Sequence, residues 1–503
     1  MTKFFLDQRG CAKNQVDGEI IISNLLGAGF VEAQSADDAD LIIINSCGFI
    51  ESAKKESLDA LLGARKKYAD KKIILAGCLA QRYAKVFKTE LPEADGIFGN
   101  GDLSRAALIA KKVMSGKRPV ETPKQSGVSC GERLKLLSRK NSAYVKITEG
   151  CSNHCSFCAI PLIRGELRSR PAADIVAEIK ALLKRGVFEI NLIGQDLAAY
   201  GTENATNEGK PKNARGSSPL AALLKKISAL KGDFWIRLLY IHPDHFNPDI
   251  LEVLKKDARL LPYFDIPFQS GDDGVIRAMN RKNSADHYKA LVQNIRAQFP
   301  DAALRTTFLA GFPGETEEAA ANTLDFLRAI EPDWSGAFSY SKEDDTPAAL
   351  MKKQVAKKTA ARRVAALQEA QEKITSARLA SRVRQGKKFF EYDVLVEEVF
   401  DQEALQDQKR GGANTSPKTK EASANKKALQ DQEGASNKNR AQNQEGAASY
   451  AIGRAWFQAP EVDGNIVIQF DPVSKKADLV KEGSVVRVRA LAVSGVDIYA
   501  ELV

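Results

Sequence analysis

Cys151-Ser-Asn-His-Cys155-Ser-Phe-Cys158 is the stretch whose reading decides the rest of this 503-residue chain. It follows an apolar run, Tyr144–Thr148, that reads as a strand, and a Glu149-Gly150 turn. A loop with thiolates at spacings of four and three wraps one compact centre. Three thiolates hold three irons of a cubane and leave the fourth iron open to bind a substrate or cofactor, whereas a fully ligated cluster only moves electrons. Zinc is the alternative and would want a fourth ligand; His154 lies in the loop, but between two ligands, where simultaneous tetrahedral coordination is awkward. A disulfide framework is disfavoured. The cysteines number seven, and all precede residue 159. The segment Met1–Gln8 lacks the basic-then-apolar layout of a secretory signal, so a reducing, cytoplasmic setting is expected.

Outward from the loop, residues 142–350 alternate strand and helix patterns. Strands are expected at Ala143–Thr148, Glu189–Ile193, Trp235–Ile241, Tyr263–Pro267, Leu304–Phe308 and Trp334–Tyr340, with helical patterns such as Pro171–Arg185 and Ser284–Phe299 between them. Roughly six β/α units suit a partial parallel (β/α) barrel. A polar stretch at 202–218 reads as a surface insert.

Residues 1–116 predict a separate open α/β sheet, with strands at Lys3–Asp7, Leu41–Asn45 and Ile73–Ala76 and helices at Glu19–Gly27, Glu51–Tyr68 and Gln81–Glu90. Cys11, Cys47 and Cys78 each follow one of these strands, and parallel strand ends share one edge of the sheet. Three thiolates are therefore expected to converge there and to hold a second cluster; three small buried hydrophobes is the alternative. Cys130 sits in a polar linker, 117–141, and reads as a bystander thiol.

A basic helical connector is expected at 351–386, then a small β-barrel at 387–503, with strands at Phe389–Phe400, Tyr450–Trp456, Gly464–Phe470, Ser484–Val493 and Asp497–Leu502. An insert at 402–448, with no aromatic residue and the repeated string ALQDQ, cannot bury enough apolar surface to fold and reads as a disordered loop. The class is therefore α/β with a β-barrel appended. No apolar run reaches the roughly 18 residues a membrane span needs. The net charge of +10 first suggests a nucleic-acid partner, but its distribution qualifies that. Residues 351–388 hold twelve Lys/Arg against two Glu, while 389–401 with 449–503 hold six basic and twelve acidic residues. The basic stretch is either a solvated helix face or a polyanion contact.

CxxxCxxC at the first strand of a barrel resembles the radical S-adenosylmethionine enzymes. Phe157 matches their aromatic near the adenine. The turns Leu192-Ile-Gly194-Gln195-Asp196 and Gly311-Phe-Pro-Gly314-Glu315-Thr316 end strands that face the loop, which makes Gly194, Gln195, Gly311 and Glu315 candidates for cofactor contacts; an ordinary βα turn accounts for the glycines equally well. With the N-terminal cysteines and the small barrel, which would be a TRAM domain, the chain resembles the methylthiotransferases. Gly10-Cys11-Ala12-Lys13-Asn14-Gln15-Val16-Asp17-Gly18-Glu19 is similar to the RimO-type pattern GCPKNxVDSE, departing at Ala12 and Gly18. Cys158-Ala-Ile-Pro161-Leu-Ile-Arg164-Gly165 with Ser169-Arg170-Pro171 is similar to FCxIPxxRG…SRP. Phe338–Pro347 and Ala459–Gly464 also resemble that type.

The resemblance implies two 4Fe-4S clusters, one on Cys11, Cys47 and Cys78 and one on Cys151, Cys155 and Cys158. It also implies S-adenosylmethionine, an external electron donor, and a methylthio group placed on the β-carbon of an aspartate in small-subunit ribosomal protein twelve. An unactivated C–H has no useful acidity, so a cofactor must open it. Two other readings stay open: a MiaB-like enzyme acting on transfer RNA, for which the basic 351–388 stretch speaks, and a non-catalytic iron–sulfur carrier or ribosome-associated protein. The acidic barrel favours a basic protein target over RNA, with 351–388 expected to meet ribosomal RNA beside it. His242 and His245 are expected to be loop residues at the barrel mouth, without a catalytic part.

Overall fold

The computed structural model describes residues 1–125, 127–203, 218–400 and 449–503. The insert read at 402–448, and nearly all of that at 202–218, lie outside the described residues. The chain divides into two units, Met1–Ser138 with Ser142–Glu331 and Ser335–Ala370, and Arg139–Asn141 with Pro332–Trp334 and Gln371–Val503.

The larger unit holds two parallel sheets. The first runs in the order Val31–Glu32, Lys3–Gln8, Leu41–Ser46, Lys72–Gly77, Gly96–Phe98, Val120–Glu121. Its central strands are nearly continuous apolar runs because helices cover both faces. Ile42, Ile44, Ile73, Leu75 and Ile97 form one core with Leu61 of the helix Glu51–Lys67, each such side chain contributing about 1.5–3 kcal/mol on burial. Two details depart from expectation. Val120–Glu121, inside the stretch read as linker, forms the sixth strand. The first helix spans Ala12–Gly27 and so begins seven residues before the expected Glu19. Its opening turns carry Lys13, Asn14, Gln15 and Asp17, which read as loop residues, yet all four are buried. Asn14 and Asp17 prefer the helix only weakly, and tertiary contacts hold them in it.

The second sheet runs sequentially: Ser142–Lys146, Glu189–Ile193, Trp235–Leu238, Leu260–Asp265, Ala303–Ala310, Trp334–Ser339. It does not close, so the barrel is partial, and the helix Ala12–Gly27 packs against its edge strand Ser142–Lys146.

The smaller unit is a closed five-stranded barrel, Glu391–Phe400, Ser449–Arg454, Ile466–Phe470, Asp497–Leu502 and Val485–Ser494 in ring order. Strand arginines are matched to acids within it. Arg487 faces Asp393 at 3.2 Å, Arg489 faces Glu391 and Glu501, and buried Arg454 pairs with Glu397 at 2.6 Å.

Candidate metal centres

Cys11, Cys47 and Cys78 meet at the edge of the first sheet. Ser46 and Gly77 are register partners, so the next residues, Cys47 and Cys78, leave neighbouring strands together. Gly10 makes room for the third. Its φ is +82°, and a Cβ there would lie 2.9 Å from Cys47 Cβ, which only glycine avoids. Cys11 caps the helix Ala12–Gly27, and Cys78 is the first residue of the helix Cys78–Glu90.

Burial, with the neighbouring Cys78 and Cys11, pushes the Cys47 thiol up to about 12, and burial likewise pushes up Cys78. Cys11 runs the other way. Burial opposes its ionisation, but Lys13, Arg164 and the backbone N–H groups of Asn14 and Lys13 outweigh that and lower it.

Cys151, Cys155 and Cys158 converge in the loop after the first barrel strand. Burial, together with the neighbouring Cys155, pushes Cys151 up to about 12 and raises Cys158 too. Three thiols crowded into one loop suit a multinuclear metal centre, which takes the thiolate charge and deprotonates its ligands outright. His154 does not supply a fourth ligand for zinc. Its side chain is more than half exposed, and its Nε2 lies 3.5 Å from Glu166.

The two triads are neighbours. Cys78 packs with Ala159 and Ile163 in one buried cluster, and Ala159 adjoins Cys158. The short helix Ile160–Arg164 thus touches one triad and grows out of the other. Its last residue, Arg164, donates through Nη2 to Cys78 Sγ at 3.1 Å and to Asp17 at 2.8 Å, and through Nη1 to Glu149. Lys146 completes the network, 2.5 Å from Asp17 and 2.6 Å from Glu149. Asn100 Nδ2 lies 3.5 Å from the same Cys78 sulfur. Lys13 places its ammonium 3.1 Å from the centre of the Tyr240 ring at the barrel mouth.

The other candidate residues surround the second triad differently. Gln195 follows the strand Glu189–Ile193, and both atoms of its amide are buried without a hydrogen-bond partner among the described residues; such an orphaned pair fits a bound cofactor. Gly194 lets Thr148 approach, since a Cβ there would lie 2.0 Å from Thr148 Oγ1. Phe157 packs with Phe312, Met279 and Val275. Gly311 has φ +80°, and its missing Cβ would meet Ala360 Cβ at 2.4 Å, so packing alone requires glycine there. Glu315 accepts from Gly311 N at 2.5 Å and from Arg363 at 2.8 Å, which ties down the turn. Cys130 is exposed.

Residues that the sequence reading left aside also lie here. His242 Nε2 comes within 3.8 Å of Cys155 Sγ, and His245 Nδ1 within 2.7 Å of Asp196. The donor atoms of Asp196, His242 and His245 lie within 4.8 Å of one another. Burial and nearby Arg281 drive His242 down to about 3, so it is neutral beside the sulfur. The spacing of His242 and His245 carried no motif; only the fold brings them to Cys155.

Comparisons with known proteins agree with this geometry. Residues 3–99 match the model of uncharacterized protein family UPF0004, residues 145–327 that of the radical SAM superfamily, and residues 442–503 that of the TRAM domain. A ribosomal protein uS12 methylthiotransferase RimO from Treponema denticola is 47% identical, over 98% of this chain and 99% of its own. A namesake from Syntrophomonas wolfei is 34% identical over 94% of each. In fold, the chain is similar to a radical S-adenosylmethionine methyltransferase, TsrM, from Kitasatospora setae, with TM-score 0.50 and 13% identity over 70% of this chain and 77% of that one. With identity at this level along nearly its whole length, the chain belongs to the RimO family of radical SAM methylthiotransferases.

Proposed function

We propose that this enzyme adds a methylthio group to ribosomal protein uS12, at the β-carbon of an aspartate. The observation that carries the reading is the adjacency of two thiol triads across Ile160–Arg164, in a chain whose relatives are named for that reaction. Its cofactors are S-adenosylmethionine and two 4Fe-4S clusters, with Cys11, Cys47 and Cys78 ligating one and Cys151, Cys155 and Cys158 the other. Bound there, these groups supply a hydrogen-abstracting radical on one side and a methylated sulfur on the other.

The chain's own residues bind, orient and exclude water. The Gln195 amide offers a donor and an acceptor to S-adenosylmethionine. Asp196 braces the loop around it by accepting from Asn153, from the backbone N–H of Ala198 and His242, and by pairing with His245. Neutral His242 lies against Cys155 without adding charge. Arg363 and Glu315 fix the Gly311–Gly314 turn, against which Phe157 packs through Phe312. Cys11, whose thiolate Lys13 and Arg164 favour, retains accessible surface.

No helix among the described residues is long and apolar enough to cross a membrane, and we place the enzyme in the cytoplasm beside its ribosomal target, reduced by an external electron donor. Transfer RNA is not favoured as substrate: among the described residues, the barrel's strand arginines Arg487 and Arg489 are paired with acids, whereas binding phosphates calls for a positive face. Mass spectrometry of uS12 from a deletion strain tests the reading. The methylthio mass should vanish and should return with the intact gene but not with Cys155→Ala. An unchanged mass in the deletion strain would refute it.

A further inference from the structure

We propose that Arg164, carried on the helix that follows one thiol triad, sets the reduction potential of the cluster held by the other triad through its hydrogen bond to the Cys78 sulfur. The proposal rests on the assignment of Cys11, Cys47 and Cys78 as ligands. Arg164 is buried, and its Nη2 reaches Cys78 Sγ at 3.1 Å. Its other partners, Asp17 and Glu149, are buried acids shared with Lys146. Two cations and two carboxylates balance, so a thiolate at Cys78 is a surplus negative charge that Arg164 alone among these cations touches.

A positive group that donates to a ligand sulfur favours the more electron-rich state of the cluster and so raises its potential. Low local polarity enlarges the effect, and burial prevents water from replacing the bond. The consequence is confined to one cluster. Near the sulfurs of Cys155 and Cys158 the contacts are His242 and the backbone N–H of Ile160, not Arg164. Because Arg164 stands six residues after Cys158 and also holds Glu149, two residues before Cys151, one side chain would tie the electronic state of the N-terminal cluster to the seating of the radical-generating loop.

The test is a potentiometric titration of the anaerobically reconstituted full-length enzyme, followed by electron paramagnetic resonance, with iron counted beforehand. In Arg164→Gln the midpoint of the Cys11/Cys47/Cys78 cluster should shift negative while that of the other cluster stays. Equal midpoints before and after the substitution overturn the proposal, and so does an equal shift of both clusters. Should Arg164→Gln lose iron from that triad, Arg164→Lys decides. It keeps the buried charge but shortens the reach to Cys78, so a negative shift supports the role and an unchanged midpoint refutes it. If the unsubstituted enzyme holds no iron at the triad, the ligand assignment fails and the proposal fails with it, a result separable from a correct assignment without a shift.

Discussion

Lys146, on the first barrel strand, donates to Asp17, on the first helix of the N-terminal sheet, at 2.5 Å, and both side chains are almost wholly buried. This pair joins the two α/β sheets through charge rather than through apolar packing alone. Burial of such charges is costly and is repaid only while every partner is present. Lys146→Met should therefore destabilise the protein by about 3–5 kcal/mol, since it leaves two carboxylates to a single guanidinium. Chemical denaturation measures this, and a change below about 1 kcal/mol would show that the network tolerates the loss.

Iron content separates the two triads. Reconstituted enzyme should hold about eight irons, the sum of two cubanes. Changing Cys11, Cys47 and Cys78 together to Ala should leave about four, as should changing Cys151, Cys155 and Cys158. Cys130→Ala should leave the count unchanged, because that thiol is exposed and belongs to neither set. No iron lost from the first triple variant would mean that those thiols are only packing.

Gln195 tests the cofactor pocket. Its amide has no partner among the described residues, so Gln195→Ala removes nothing that the fold uses. One net hydrogen bond is worth about 0.5–1.5 kcal/mol, and S-adenosylmethionine affinity should fall roughly two- to tenfold. Equilibrium dialysis reads it, with iron content unchanged as the control. Unaltered affinity would place the cofactor elsewhere.

Gly311 tests the alternative origin of a glycine-rich turn. Alanine there meets both a left-handed backbone and the Cβ of Ala360, at a cost of about 1–3 kcal/mol. Adding Ala360→Gly should recover the contact part of the loss but not the backbone part. A full recovery would mean that φ carries no strain.

The sequence announced the Cys151 loop because its three cysteines lie within eight residues, and it pointed to the N-terminal triad because each cysteine follows an apolar run that reads as a buried strand. The barrel's five strands were legible for the same reason, through period-2 alternation between turn residues. Lys13, Asp17, Lys146, Glu149 and Arg164 were not. A buried charge looks like a surface charge until its partner is known, and Asp17 lies 129 positions from Lys146 and 147 from Arg164. The early start of the first helix escaped for the same reason, since its polar face turns inward toward those partners. At Gly311 and Glu315 the glycine-rich turn suggests a ligand from the sequence, and the structure adds a second demand on the same residues through Ala360 and Arg363.

The basic stretch, last, can be divided between fold and partner. Arg363 is buried, holding Glu315 at 2.8 Å and Glu317 at 2.7 Å, and Arg382 is buried against Asp333 at 2.6 Å. These charges are spent inside the protein, and Arg363→Gln should lower the melting temperature whether or not a ribosome is present. Lys352, Lys353 and Lys358 are exposed and make no ion pair among the described residues. If the stretch meets ribosomal RNA, each lysine that neutralises a phosphate adds roughly 0.7–0.9 to the slope of log affinity against log salt. Changing all three to Gln should then flatten that slope by about two to three and leave the melting temperature where it was. Ribosome co-sedimentation across a salt series measures both chains. An identical slope would assign the three lysines to solvated surface and leave the recognition of uS12 to the protein target itself.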